Sequence, residues 1–197
     1  YEIGSLTKIF TAVLLADLVT KNVIHLDDSI SKFLPDSLAQ NPSLQGITFK
    51  QLANHTSGLP RLADNWNKIA GFSDVDPYAA YDRKALFAFL KNFKANRPAG
   101  ESYEYSNLGF GLLGELVATI SKKNYMAYLE ETVFAPLQMQ STTDKPDPKK
   151  QQTLIKVYDA QGDETPAWNW KAMVGAGGLK SNAKDLTLFA VEQFKMP

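Results

Sequence analysis

Ser5-Leu6-Thr7-Lys8 sets a hydroxyl and an amine three residues apart. On a helix, residues at that spacing are neighbours. A serine hydroxyl attacks poorly until an adjacent base takes its proton. A lysine is such a base when its surroundings hold it partly neutral. The pattern occurs at Ser5/Lys8, Ser29/Lys32 and Ser181/Lys184, and context separates the three. Ser29 lies in a polar segment that stops at Pro35, while Ser181 reads as a helix cap with Lys184 facing solvent. Ser5 follows Gly4, which permits the close approach a substrate needs. It also opens an otherwise apolar helix, whose surroundings would lower the pKa of Lys8. The N-terminus of that helix would favour developing negative charge. A capping serine beside a solvated lysine is the competing reading of the same residues.

Tyr105-Ser106-Asn107 is the second candidate, between an extended piece and a helix start. A tyrosine close to a lysine can titrate low enough to act as a base. An asparagine offers a donor and an acceptor to an amide-bearing substrate. The alternative is a core aromatic followed by an Asn N-cap. His25 and His55 are the only histidines, and neither has a second ligand at metal spacing. The run His55–Pro60 reads as a helix end and turn, which makes His55 structural. No Gly-x-Ser-x-Gly elbow supports a histidine-based triad. Trp66, Trp168 and Trp170 suit either a substrate groove or ordinary packing.

The elements that must position these groups follow from periodicity. Apolar residues from Leu6 to Leu18 predict an amphipathic helix over 5–21. A short helical piece spans 29–34. Thr48-Phe49-Lys50-Gln51 predicts a capping box and a short helix to His55. Residues 61–80 read as a long loop, and Asp82 caps a helix to Phe93. A second strongly apolar helix covers 107–122, and Asn124 opens a further one to about Phe134. Residues 153–158 alternate as a strand with a turn at Gln161-Gly162. Gly175–Gly178 reads as a flexible connector, and Ser181 or Asn182 caps a last helix to about Phe194. Both long helices, 5–21 and 107–122, carry apolar faces on more than one side. Uncovered, those faces would promote association.

The 197 residues suffice for one domain with a sizeable core. The 21 basic residues balance the 21 acidic ones, which argues against a nucleic-acid or anionic-membrane partner. No apolar run reaches the length of a membrane span. Without cysteine, disulfides and thiolate chemistry are excluded. Tyr1-Glu2-Ile3-Gly4 reads as a strand end running into a turn, so the chain is expected to begin inside a larger protein.

Taken together, the ordered segments resemble the serine β-lactamase and penicillin-binding DD-peptidase superfamily, in its class C-like branch, which also contains esterases. They are Tyr1–Lys8, His55–Pro60, Pro98-Ala99-Gly100, Tyr105-Ser106-Asn107, and Gly177–Ser181 leading to Asp185-Leu186. The resemblance implies an α/β (α+β) architecture of which this chain is mostly the helical part with few short strands. Residues 1–197 would be a partial hydrolase domain that starts at the nucleophile motif and ends before a third motif, Lys/His-Thr/Ser/x-Gly, which nothing here matches. It implies Ser5 as the acylated nucleophile, Lys8 as its base and Tyr105 as a general acid/base. Asn107 would orient the substrate amide, and the Ser5 backbone N–H would form half of an oxyanion hole. No cofactor or metal is implied. The substrate would be a small molecule or a peptidoglycan peptide, specifically a β-lactam, a D-Ala-D-Ala peptide or a small ester, and the protein an exported, periplasmic one. A non-catalytic binding or scaffold member of the same fold is the alternative.

Overall fold

The computed structural model describes residues 1–147 and 153–195. Among these residues the chain is mostly helical, with one two-stranded hairpin. The helices are α1 (Thr7–Thr20), α2 (Asp36–Ala39), α3 (Pro42–Gln45), α4 (Phe49–Ala53), α5 (Arg83–Asn92), α6 (Asn107–Ser121), α7 (Tyr125–Leu129), α8 (Val174–Gly177) and α9 (Ala183–Gln193). Strands β1 (Val157–Tyr158) and β2 (Glu164–Thr165) pair antiparallel, Val157 opposite Thr165. Only the end of the alternating 153–158 segment is therefore a strand. Its turn is as expected: Gly162 takes φ +88°, and the Asp159 carboxylate accepts from the Gln161 and Asp163 amides.

The capping signals hold locally. Thr48 and Gln51 form the reciprocal box at α4, and Asp82 accepts from the Ala85 amide at the head of α5. Asn124 caps α7, which continues through a π-helical turn at Glu130–Phe134. At α9 the cap is Asn182. Ser181 is buried instead, its hydroxyl 2.8 Å from Thr142 Oγ1. The buried Asp185 carboxylate accepts from the Ser141 amide and the Thr142 hydroxyl, which staples α9 to that loop. Residues 1–3 run antiparallel to 179–181, as a strand end would. The Ile3 amide donates to the Leu179 carbonyl at 3.0 Å, and Ser181 to Tyr1 at 2.9 Å.

Helix α6 is the centre of the packing. Every residue from Asn107 to Val117 except Glu115 is buried, against α1, α4, α7 and α8. The expectation that this helix leaves an apolar side uncovered is wrong, because the loop-borne short helices cover it. It holds around α1, where Leu6, just ahead of the helix, and Ile9, within it, are each 49% exposed.

The Gly175–Gly178 segment is not a flexible connector. It forms most of α8, a short helix pressed between α1 and α6. Glycine here permits contact rather than motion. A Cβ on Gly175 would lie 2.9 Å from the Phe110 carbonyl oxygen and 3.0 Å from Gly114 Cα. Both neighbours are backbone and cannot swing away. Gly175→Ala is therefore expected to destabilise the fold by about 1–3 kcal/mol through overpacking, as read from urea denaturation midpoints at unchanged slope.

Candidate active site

Ser5 stands on a single 3-10 turn, Gly4–Leu6, that feeds into α1. Gly4 adopts φ +51°, and a Cβ there would meet nothing within 4 Å. The glycine thus serves the left-handed backbone of the turn. Lys8 lies one turn further on and only 7% exposed. Its ammonium nitrogen is 3.1 Å from Ser5 Oγ. The other two matches to the pattern do not pair. Ser29 donates to the Gln45 carbonyl while Lys32 binds Asp28, and Ser181 is buried while Lys184 is exposed.

Three distant segments converge on Lys8. Its Nζ donates to Asn107 Oδ1 at 2.9 Å and to the Ala176 carbonyl at 2.6 Å. Tyr105 Oη lies 2.6 Å from Ser5 Oγ. The structure therefore brings Ser5, Lys8, Tyr105 and Asn107 into one cluster. Asn107 is not a helix cap. That role falls to Ser106, whose hydroxyl accepts from the Gly109 amide at 2.8 Å and donates to the Pro60 carbonyl at 2.7 Å. The amides of Asn107 and Leu108 both donate to the Arg61 carbonyl. With these first-turn donors satisfied, the Asn107 side chain is held facing Lys8.

His55 supports the site without joining it. Its Nδ1 accepts from the Ser106 amide at 3.1 Å, and its ring packs 4.5 Å from that of Tyr105. Burial, reinforced by the Lys8 charge, pushes its pKa down. The tryptophans collect around buried Tyr78. Trp170 stacks on it at 4.0 Å, with Trp66 and Trp168 at 5.6 and 5.7 Å. They pack as a cluster against the core, and Trp170 also lines an open pocket beside Asn169 and Lys171.

The electrostatics lower the pKa values of both Lys8 and Tyr105. Burial drives the Lys8 pKa down, Tyr105 opposes this, and the Arg61 cation adds to the depression. Burial alone would raise Tyr105. Its contacts with Lys8 and Ser5, and the charges of Lys8 and Arg61, outweigh that and leave it below the ordinary phenol value. A neutral Lys8 has two N–H groups for Asn107 and Ala176 and one lone pair, which would face the Ser5 hydroxyl. The arrangement can thus accept a proton from serine and keep its remaining bonds.

Sequence reading missed two contributors. Arg61 falls in the 61–80 segment that reads as loop, yet its guanidinium lies 5.2 Å from the Tyr105 ring centroid. Neither this nor the Ala176 carbonyl has a local signal, since a backbone acceptor carries no residue type.

The helical core with the Ser5 turn at its edge is the fold of class C β-lactamases. A class C β-lactamase solved with cefoxitin superposes with a TM-score of 0.82 at 26% identity, over 99% of this chain and 52% of that one. A β-lactamase/D-alanine carboxypeptidase from Yersinia pestis gives 0.79 at 28% identity, over 96% and 52%. The Beta-lactamase family model matches residues 1–196, and the chain belongs to that family. The D-alanyl-D-alanine-carboxypeptidase/endopeptidase AmpH of Escherichia coli K12 is 33% identical over 187 residues, covering 94% of this chain and 46% of that protein. Protein flp of Staphylococcus aureus MW2 is 31% identical over 82% of this chain and 31% of its own length. The chain thus spans less than half the length of these curated relatives.

Replacing the buried cap isolates the local scaffold from the chemistry. Ser106→Ala removes the acceptor for Gly109 and the donor to Pro60 together, and is expected to cost about 1–2 kcal/mol, measured by chemical denaturation.

Proposed function

We propose that this chain carries the acylation machinery of a serine hydrolase, with Ser5 as nucleophile and Lys8 as base. The observation that supports it most is the buried Lys8 amine, 3.1 Å from Ser5 Oγ with its other bonds taken by Asn107 and Ala176. In the step proposed, the Ser5 proton passes to Lys8 as Oγ bonds to the substrate carbonyl carbon. The carbonyl π pair moves to oxygen, facing the Ser5 backbone N–H. On collapse the C–N or C–O bond breaks, and the leaving group takes a proton from Tyr105, which the Lys8 ammonium replaces. Water then adds to the acyl carbon, losing its proton to the now neutral Lys8, directly or through Tyr105 as that phenol passes its own proton to Lys8; the Lys8 ammonium returns a proton to Ser5 Oγ as the acyl C–O bond breaks. Asn107 is proposed to orient the substrate amide.

The substrate class is a β-lactam, a D-Ala-D-Ala peptide of peptidoglycan, or a small ester. The names of the relatives support the first two: a carboxypeptidase/endopeptidase at 33% identity and class C β-lactamases in fold. No helix among the described residues is long and apolar enough to cross a membrane. We propose residues 1–197 as the helical portion of the hydrolase domain, consistent with structural relatives about twice as long.

Incubation with a labelled penicillin or a fluorophosphonate, followed by peptide mass spectrometry, is expected to show an adduct on Ser5 that is absent in Ser5→Ala. Failure of the folded, full-length protein to form that adduct would favour the non-catalytic binding role. The pH dependence follows from the two shifted groups. Acylation should rise as Lys8 loses its proton, at a pH below the usual lysine range, and fall as Tyr105 loses the proton it donates. Arg61 lowers both pKa values. Arg61→Gln is therefore expected to move both limbs of the profile to higher pH, measured by stopped-flow acylation.

A further inference from the structure

Helix α8 ends at Gly177, so its last carbonyls lack partners of their own helix. The Ala176 carbonyl accepts from Lys8 at 2.6 Å. The preceding one, on Gly175, accepts from Thr11 Oγ1 at 2.8 Å. Lys8 and Thr11 are three apart on α1 and share one face. Successive carbonyls of α8 are thus capped by side chains one turn apart on α1. Thr11 is fully buried, and its oxygen also lies 2.6 Å from the Tyr125 hydroxyl. A threonine hydroxyl has a single proton. With that proton on the Gly175 carbonyl, Tyr125 must donate to Thr11.

We propose that Thr11 and Tyr125 are positioning residues: their hydroxyls form a buried relay, Tyr125 to Thr11 to the Gly175 carbonyl, that fixes the Gly175–Ala176 peptide and through it the amine of Lys8. The proposal deepens the serine-hydrolase reading and rests on Lys8 acting as the base. Three further facts support it. The relay has no slack, because a Cβ on Gly175 would fall 3.3 Å from Thr11 Oγ1 and 3.0 Å from Gly114 Cα. Tyr125 is buried, which pushes its pKa up and keeps it a donor across the working range. The Ala176 contact is the shortest of the three that Lys8 makes. Loss of the relay would let the Ala176 carbonyl drift, and the ammonium would lose its nearest acceptor. The Lys8 pKa would then fall further. The titratable and charged groups facing Lys8, namely Tyr105, Arg61 and His55, are untouched by changes to the relay.

The test follows Lys8 itself by NMR of 13Cε-labelled lysine, which needs no turnover, beside the rate of Ser5 acylation. Thr11→Val keeps the volume and removes the hydroxyl. It is expected to lower the Lys8 midpoint by about half a pH unit or more, and to slow acylation by about tenfold to a hundredfold. Thr11→Ser restores the donor and should return both values close to those of the parent. Tyr125→Phe, which keeps Thr11, should shift both in the same direction and serves if Thr11→Val does not fold. A folded Thr11→Val or Tyr125→Phe protein with an unmoved Lys8 midpoint and parental acylation would overturn the proposal, whatever its melting temperature. A moved midpoint in a protein that never acylates Ser5 would sustain the coupling and overturn the hydrolase reading.

Discussion

A lysine amine removed from water demands partners. Lys8 is 7% exposed, and no carboxylate forms an ion pair with it among the described residues. Its hydrogen bonds go to neutral acceptors instead: Ser5 Oγ, Asn107 Oδ1 and the Ala176 carbonyl. A carboxylate partner would fix the charged form. Neutral acceptors satisfy both protonation states, and burial then favours the neutral one. The placement of the surrounding elements can be read as what this single group requires.

Those acceptors come from parts of the chain separated by up to 168 residues, so each needs its own support. Asn107 is fixed because the head of α6 has its amides satisfied by the Arg61 carbonyl and the Ser106 hydroxyl. The Ala176 carbonyl arrives because glycines on α6 and α8 let two backbones meet at van der Waals distance. Ser5 is presented by a left-handed Gly4 and by the pairing of residues 1–3 with 179–181. A shift of any of these would leave a buried donor unpaired, which costs more than the bond itself contributes.

Tyr105 completes the electrostatic balance. Lys8 is held below its usual pKa by burial, and Tyr105 below its own by the cations beside it. Their 2.6 and 3.1 Å contacts both end on Ser5 Oγ, so that hydroxyl has a titratable partner on each side. Arg61 tunes both groups from the rim, a role that no pairwise motif describes.

The sequence by itself determined the elements and the residue types at the centre. Hydrophobic period, the Thr48–Gln51 box and the Asp82, Asn124 and Asn182 caps located the helices, because such signals act within a turn or two of chain. The ordered motifs marked Ser5, Lys8, Tyr105 and Asn107, and set the first Ser-x-x-Lys apart from the other two. What only the tertiary structure decided was set by contact across the chain. Gly175–Gly178 reads as a flexible connector because glycine is locally permissive. Its use is close packing against Gly114, which depends on a helix some sixty residues earlier. Ser106 rather than Asn107 caps α6 because the Asn107 oxygen is claimed by Lys8. The Ala176 carbonyl and its Thr11–Tyr125 support leave no mark in the sequence, since a main-chain acceptor is common to every residue and only the fold selects which one meets the amine.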